Sequence, residues 1–251
     1  PLASPRGARG NRTASKSRAR SRGMPTRLAD GVWALDLGLF PPIASNAYLA
    51  DDGEPTLVDA GLPVNPSTLL REIRDVGYEP ADLDRILLTH YDLDHTGGVS
   101  TLRAEGFDGD VHVGREDVAL MDGDWSPSAF HPKGVFHRVV RPFFGIPDVE
   151  PVADGDHVGG FEAFHTPGHN PGHTAFVHES LDAAFLGDLV WEEDGEFTPP
   201  FWLDSYDMHA LRESIRSFVR RTPRFEAACM GHGDPFAEGG YDALLRLADR
   251  L

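Results

Sequence analysis

Four metal-capable side chains fall within six residues of this chain, in Thr89-His90-Tyr91-Asp92-Leu93-Asp94-His95. The cluster follows a short apolar run, Arg85-Ile86-Leu87-Leu88, and leads into Thr96-Gly97-Gly98. Residues two apart share a face in extended chain, so His90 and Asp92 can converge on one point. The adjacent Asp94-His95, where the chain turns, can aim at a second. Imidazole nitrogen and carboxylate oxygen suit borderline and hard divalent cations. Taken alone, the cluster is also compatible with an acidic loop holding two incidental histidines.

Three later segments sharpen the reading: Thr166-Pro167-Gly168-His169-Asn170-Pro171-Gly172-His173, Ala184-Phe185-Leu186-Gly187-Asp188 and Met230-Gly231-His232-Gly233. Each sits at or just beyond an expected strand end, where sheet-based folds gather their functional loops. In this order the segments resemble the metallo-β-lactamase-fold hydrolases, and the glyoxalase II-like branch in particular. The similarity runs from about Ser45 to His232 and includes an early strand ending in Asp59-Ala60-Gly61. The resemblance implies an α/β layered fold, the αββα sandwich.

It also implies two metal sites. The first would be His90, Asp92 and His173; the second Asp94, His95 and His232; Asp188 would bridge them. Asp94 and Asp188 would take part in catalysis, and Asp59 and His169 would support the ligands from behind. The family usually has histidine where Asp92 stands. A carboxylate there resembles the flavodiiron relatives, so iron or manganese competes with zinc as the expected pair of divalent ions. The remaining histidines (His112, His131, His137, His157, His165, His178 and His209) fit no ligand spacing.

Charge divides the chain. Residues 1–23 carry six Arg and Lys16 with no acidic residue, and lack the apolar stretch of a secretory signal. They read as a disordered basic leader, either the product of an upstream start or a basic nucleic-acid tail, ahead of a single domain over 24–251. Removing those seven basic residues leaves 16 against 40 acidic ones, a body charge of −24. That field disfavours nucleic acid as a partner and suggests adaptation to high salt. Only Lys16 and Lys133 are lysines. No apolar run is long enough to span a bilayer. The lone Cys229 excludes an internal disulfide, which points to a cytoplasmic protein.

The patterning predicts strands at 31–37, 46–50, 55–59, 86–89, 111–113, 161–165, 174–178, 183–186 and 225–230. It predicts helices from Pro66, capped by Asn65, to Val76, and over 99–104, 118–121, 208–219 and 241–251. Segments 122–147 and 191–203 have no regular pattern. Their Trp125, Phe130, Trp191, Phe201 and Trp202 are the expected walls of a substrate cleft, or equally a homodimer face.

The resemblance implies a hydrolase in which a metal-bridging hydroxide attacks an ester, thioester or lactone carbonyl of a small acyl substrate. Only 19 residues follow His232, too few for the glutathione-binding extension of glyoxalase II, which leaves hydroxyacylglutathione hydrolase-like and lactonase-like activities open. The alternatives are a diiron redox enzyme of the flavodiiron oxygen/nitric oxide reductase type and a non-catalytic metal-binding scaffold.

Overall fold

The computed structural model describes residues 24–37, 45–64, 66–122, 130–140 and 148–251. Its first half runs β1 (Thr26–Ala29), β2 (Val32–Leu35), β3 (Ala47–Ala50), β4 (Thr56–Val58), α1 (Pro66–Val76), β5 (Arg85–Leu88), α2 (Leu93–Thr96), α3 (Val99–Ala104), β6 (Asp110–Gly114), α4 (Arg115–Asp122), α5 (Pro132–Val140) and β7 (Glu150–Val152). The second half runs β8 (His157–Val158), β9 (Phe161–His165), β10 (Thr174–His178), β11 (Ala183–Gly187), β12 (Trp191–Glu193), β13 (Glu196–Thr198), α6 (Met208–Arg221), β14 (Ala227–Met230) and α7 (Gly240–Ala248).

Strands β1 to β7 form one sheet in chain order, antiparallel as far as β4 and parallel from there on. A second sheet has the order β14-β11-β10-β9-β8, and β12 and β13 make a separate hairpin. Side-chain alternation explains why the two sheets stack. Val32, Ala34, Val58 and Leu87 of the first meet Ala163, Phe176, Ala183, Phe185 and Cys229 of the second in one dry layer. Their neighbours point outward. Leu35, Leu57, Ile86 and Leu88 pack with Leu69 and Ile73 of α1 and Leu102 of α3. Ala184, Leu186 and Ala228 pack with Leu211, Ile215 and Phe218 of α6 and Leu244 of α7. Both sheets are therefore buried on both faces, which requires helices outside each. This is the expected αββα sandwich.

Most predicted elements fall within a residue or two of the observed ones. The irregular reading of 122–147 and 191–203 is corrected. Residues Pro132–Val140 form α5, and Trp191–Glu193 pairs with Glu196–Thr198 in a hairpin turning through Asp194-Gly195, both at positive φ. The two-residue Asp-Gly turn is a hairpin signal in its own right. The helix of α5 is harder to see, because its apolar residues Val135, Phe136 and Val139 face outward. The leader, Asn65 and Trp125 lie outside the described residues.

Candidate metal centre

Strand β5 delivers His90 at its C-terminal end, and α2 delivers Asp94 and His95 one turn later. Strand β11 ends at Gly187 with Asp188 next in the chain, and β14 ends just before Gly231-His232. Both sheets thus open their strand ends on the same cleft. Backbone hydrogen bonds from Thr174 N–H to Thr89 O and from Asn46 N–H to Gly231 O join the sheets there, and Gly231 N–H to Gly187 O and Ala60 N–H to His95 O brace the loops within each. Glycine is required at 231, because a Cβ would meet Asp188 Oδ1 at 2.0 Å and His95 Cε1 at 2.8 Å.

Four side chains come together in the cleft. His232 Nε2 is 3.4 Å from Asp94 Oδ2 and 3.4 Å from Asp188 Oδ2, and His95 Nε2 is 3.6 Å from Asp94 Oδ2 and 3.7 Å from Asp188 Oδ1. Ligands bonded at ~2.1 Å in a tetrahedron are about 3.4 Å apart, so Asp94, His95 and His232 could share one cation, while Asp188 turns a different oxygen to each histidine. Three buried atoms here have no hydrogen-bond partner, namely His90 Nε2, His95 Nε2 and Asp188 Oδ1. The same three residues could share an ion. Buried polar atoms are seldom left unpaired, and a cation would satisfy all three together. The residues present therefore fit a divalent metal.

The backing hydrogen bonds set the ring tautomers for that purpose. Asp59 is buried at the end of β4 with a φ of 60°. Its carboxylate accepts from Thr89 N–H, Thr89 Oγ1–H and His95 Nδ1–H, each at 2.8 Å. The Thr89 proton is thereby committed, so Thr89 Oγ1 accepts from His90 Nδ1–H at 3.0 Å. Both rings then keep Nδ1–H on the backing side and turn Nε2 to the cleft. Asp59 thus holds both Thr89 and His95 by hydrogen bonds.

Charge follows the same plan. Burial opposes a proton on His95, but Asp59, Asp94 and Asp188 outweigh it and push the ring up to about 10. His232 is likewise pushed up to about 11, against burial, by Asp188 and Asp94. Burial also disfavours charge on Asp188, yet His232, His169 and His95 hold it well below the carboxylate range. Burial and the neighbouring His95 hold His90 well below the ordinary histidine value. Positive charge is thus favoured at the His95–His232 end of the cluster.

Two expected residues exchange places. His173 is buried, but its Nε2 accepts the Asp188 backbone N–H at 3.0 Å while its Nδ1 sits 2.8 Å from Thr166 Oγ1. That lone pair is occupied, and His173 belongs to none of the ligand groups found among the described residues. His169 instead comes to 3.1 Å from Asp92 Oδ2 and 3.4 Å from Asp188 Oδ2, in ligand groups with both. Four residues separate the two histidines, and only the turn at Gly168, with a φ of 139°, decides which enters the cleft.

Asp92 reaches the cleft but is heavily engaged. Asn170 Nδ2 donates to its Oδ1 at 2.7 Å, His137 Nε2 lies 3.0 Å from Oδ1, and Lys133 Nζ lies 2.7 Å from Oδ2. Against burial, Lys133, His90 and His137 hold this carboxyl well below its ordinary range. Sequence spacing gave His137 and Lys133 no role. The available signal was Lys133 itself, the one lysine of an acidic domain. Among the expected cleft walls, Trp191 lies against His232 with ring centroids 4.9 Å apart. Phe201 and Trp202 form an exposed pair on the turn that carries Asp204, and Phe130 is fully exposed.

Residues 40–232 match the metallo-beta-lactamase superfamily. The chain belongs to that superfamily. It is similar to the probable metallo-hydrolase YflN of Bacillus subtilis (strain 168), 25% identical over 240 residues that cover 85% of this chain and 90% of YflN. It is also similar to hydroxyacylglutathione hydrolase of Shewanella baltica (strain OS195), 31% identical over 148 residues, which are 59% of this chain but only 43% of that enzyme. Among solved structures, TTHA1623 in a di-iron-bound form superposes with a TM-score of 0.62 at 28% identity, covering 84% of this chain and 98% of that one. Among the described residues no helix is long and apolar enough to cross a membrane.

Proposed function

We propose that this protein is a metal-dependent hydrolase of a small acyl substrate: an ester, thioester or lactone. The observation that carries the reading is the cluster of Asp94, His95, Asp188 and His232, in which His95 Nε2 and Asp188 Oδ1, like the neighbouring His90 Nε2, are buried without a hydrogen-bond partner. A bound divalent ion would polarise a carbonyl and make a water molecule nucleophilic near neutral pH. The chain's own residues do the rest. Asp59 and Thr89 hold His95 and His90 in the binding tautomer. Asp94, with a side chain 24% exposed, is the ligand most open to the cleft and is placed to take up the proton released by the attacking water. Trp191, edge-to-face with His232, offers an apolar wall for an acyl group.

Zinc is the favoured ion, because the cluster mixes imidazole and carboxylate. Iron is the second reading, favoured by the likeness to TTHA1623 in its di-iron-bound form. It weakens the case for iron that Asp92, the residue expected to harden the first site, is already hydrogen bonded on both oxygens. We place the protein in the cytoplasm, acting on a small molecule rather than on nucleic acid or a membrane. The deciding experiment reconstitutes the protein with Zn²⁺, Mn²⁺ or Fe²⁺ and tests a thioester and lactone panel, with Asp188→Ala as the control. Hydrolysis that needs metal and fails in Asp188→Ala supports the reading. Metal-independent turnover, or none with any ion across the panel, overturns it.

A further inference from the structure

Lys133 reaches from α5 to the place where the superfamily resemblance expects the first of two metals. Its side chain is 1% exposed. An ammonium has three N–H donors, and three acceptors surround this one: Asp92 Oδ2 at 2.7 Å, His169 Nε2 at 2.7 Å and Asp204 O at 2.9 Å. The donor count closes with nothing left over.

The two acceptors that matter are also ligand atoms of the first site. His90, Asp92 and His169 form one of the sets that could share an ion. An imidazole nitrogen has a single in-plane lone pair, so His169 Nε2 can accept from Lys133 or bind a cation, but not both. With Nε2 accepting, the other ring nitrogen faces Ser205 Oγ at 3.3 Å as the donor. Asp92 is filled on its other oxygen by Asn170 and His137. Of the first set, only His90 Nε2 stays without a partner. It also belongs to the set with His95 and Asp188, which shares His95 with the set of Asp94, His95 and His232. An arginine could not make this arrangement, because its planar fork cannot direct three donors pyramidally from one atom.

We propose that the Lys133 ammonium stands in for the first metal, so that the protein holds one divalent ion, at Asp94, His95, Asp188 and His232. This inference rests on the metallo-hydrolase reading and corrects the expectation of two ions. Lys133 is then a positioning residue: it neutralises Asp92, orients His169 and anchors α5 through the Asp204 carbonyl.

The test is metal content per chain after saturation with Zn²⁺ or Mn²⁺ and removal of the excess. The wild-type chain should hold one ion, and Lys133→Met, which frees Asp92 and His169, should hold two. Lys133→Gln is the second variant should the methionine protein not fold. Mn²⁺ electron paramagnetic resonance gives a readout independent of turnover: an isolated-ion spectrum in wild type and a spin-coupled pair in the variant. Two ions in wild type would overturn the inference and leave the hydrolase reading standing. One ion in wild type and still one in a folded Lys133 variant would also overturn it, because Lys133 would not be what keeps the second ion out. No ion in wild type would remove the metallo-hydrolase reading, and this inference with it.

Discussion

Asp59→Asn changes one oxygen to an NH₂ group and should disable two metal ligands at once. In the native protein Asp59 is acceptor-only, and three donors point at it. If the asparagine oxygen keeps the Thr89 N–H, its NH₂ group faces both Thr89 Oγ1 and His95 Nδ1. The conflict is relieved only if His95 Nδ1 becomes an acceptor and Thr89 Oγ1 accepts from the amide. Thr89 must then donate its own proton to His90 Nδ1, 3.0 Å away. Both rings would carry hydrogen on Nε2, the atom that faces the cleft.

Metal binding to the variant must reverse those tautomers and leave about two buried donors unpaired, at ~1–3 kcal/mol each. Loss of the Asp59 charge weakens a divalent ion more than a competing proton and acts in the same direction. A loss of ~2–6 kcal/mol is roughly 30- to 20,000-fold in affinity. The fold should survive, because asparagine tolerates the left-handed backbone at this position and keeps the Thr89 N–H bond. Chelator competition gives the affinity, and ¹⁵N signals of His90 in metal-free protein give the tautomer. A dissociation constant within threefold of wild type, or His90 still protonated on Nδ1, would refute the relay.

Other outcomes follow from the same geometry. With His95 pushed up to about 10 and His232 to about 11, each holds a proton at neutral pH that an incoming ion must displace. Apparent metal affinity should therefore rise by about 100-fold per pH unit between pH 6 and 9, measured by buffered chelator competition. Asp117 accepts from Gly172 N–H at 2.6 Å and Tyr91 N–H at 2.8 Å, so Asp117→Ala orphans two buried donors and should lower the thermal midpoint by several degrees. Burial raises Asp117 from 3.8 to about 6 despite those bonds, so the folded state binds the extra proton in between. Its stability contribution is greatest below about pH 4 and falls as pH rises through 6; Asp117→Asn should remove that slope from melts recorded across the interval. With −24 on residues 24–251, the melting midpoint should climb as KCl is raised to molar levels, and a flat or falling series would argue against adaptation to salt.

The sandwich was legible because its strands carry strong local signals. Runs such as Ala183–Gly187 and Ala227–Met230 are apolar on both faces, as strands between two helical layers must be, and their ends carry Asp188 and His232. Ligands fixed directly by a strand end could be read in order. The ambiguous ones depend on loop geometry that periodicity does not encode. His169 and His173 differ in role because one turn aims the first into the cleft and leaves the second under the Asp188 N–H. Lys133 was invisible for another reason: its partners lie 36 to 71 residues away, on three different elements. No local pattern specifies such a contact. A lone lysine in an acidic domain is a weak compositional hint, and it acquires meaning only when its three protons are counted against three acceptors. A ligand motif in the sequence thus shows which side chains could bind metal. How many ions they bind depends on which lone pairs the rest of the fold has already taken.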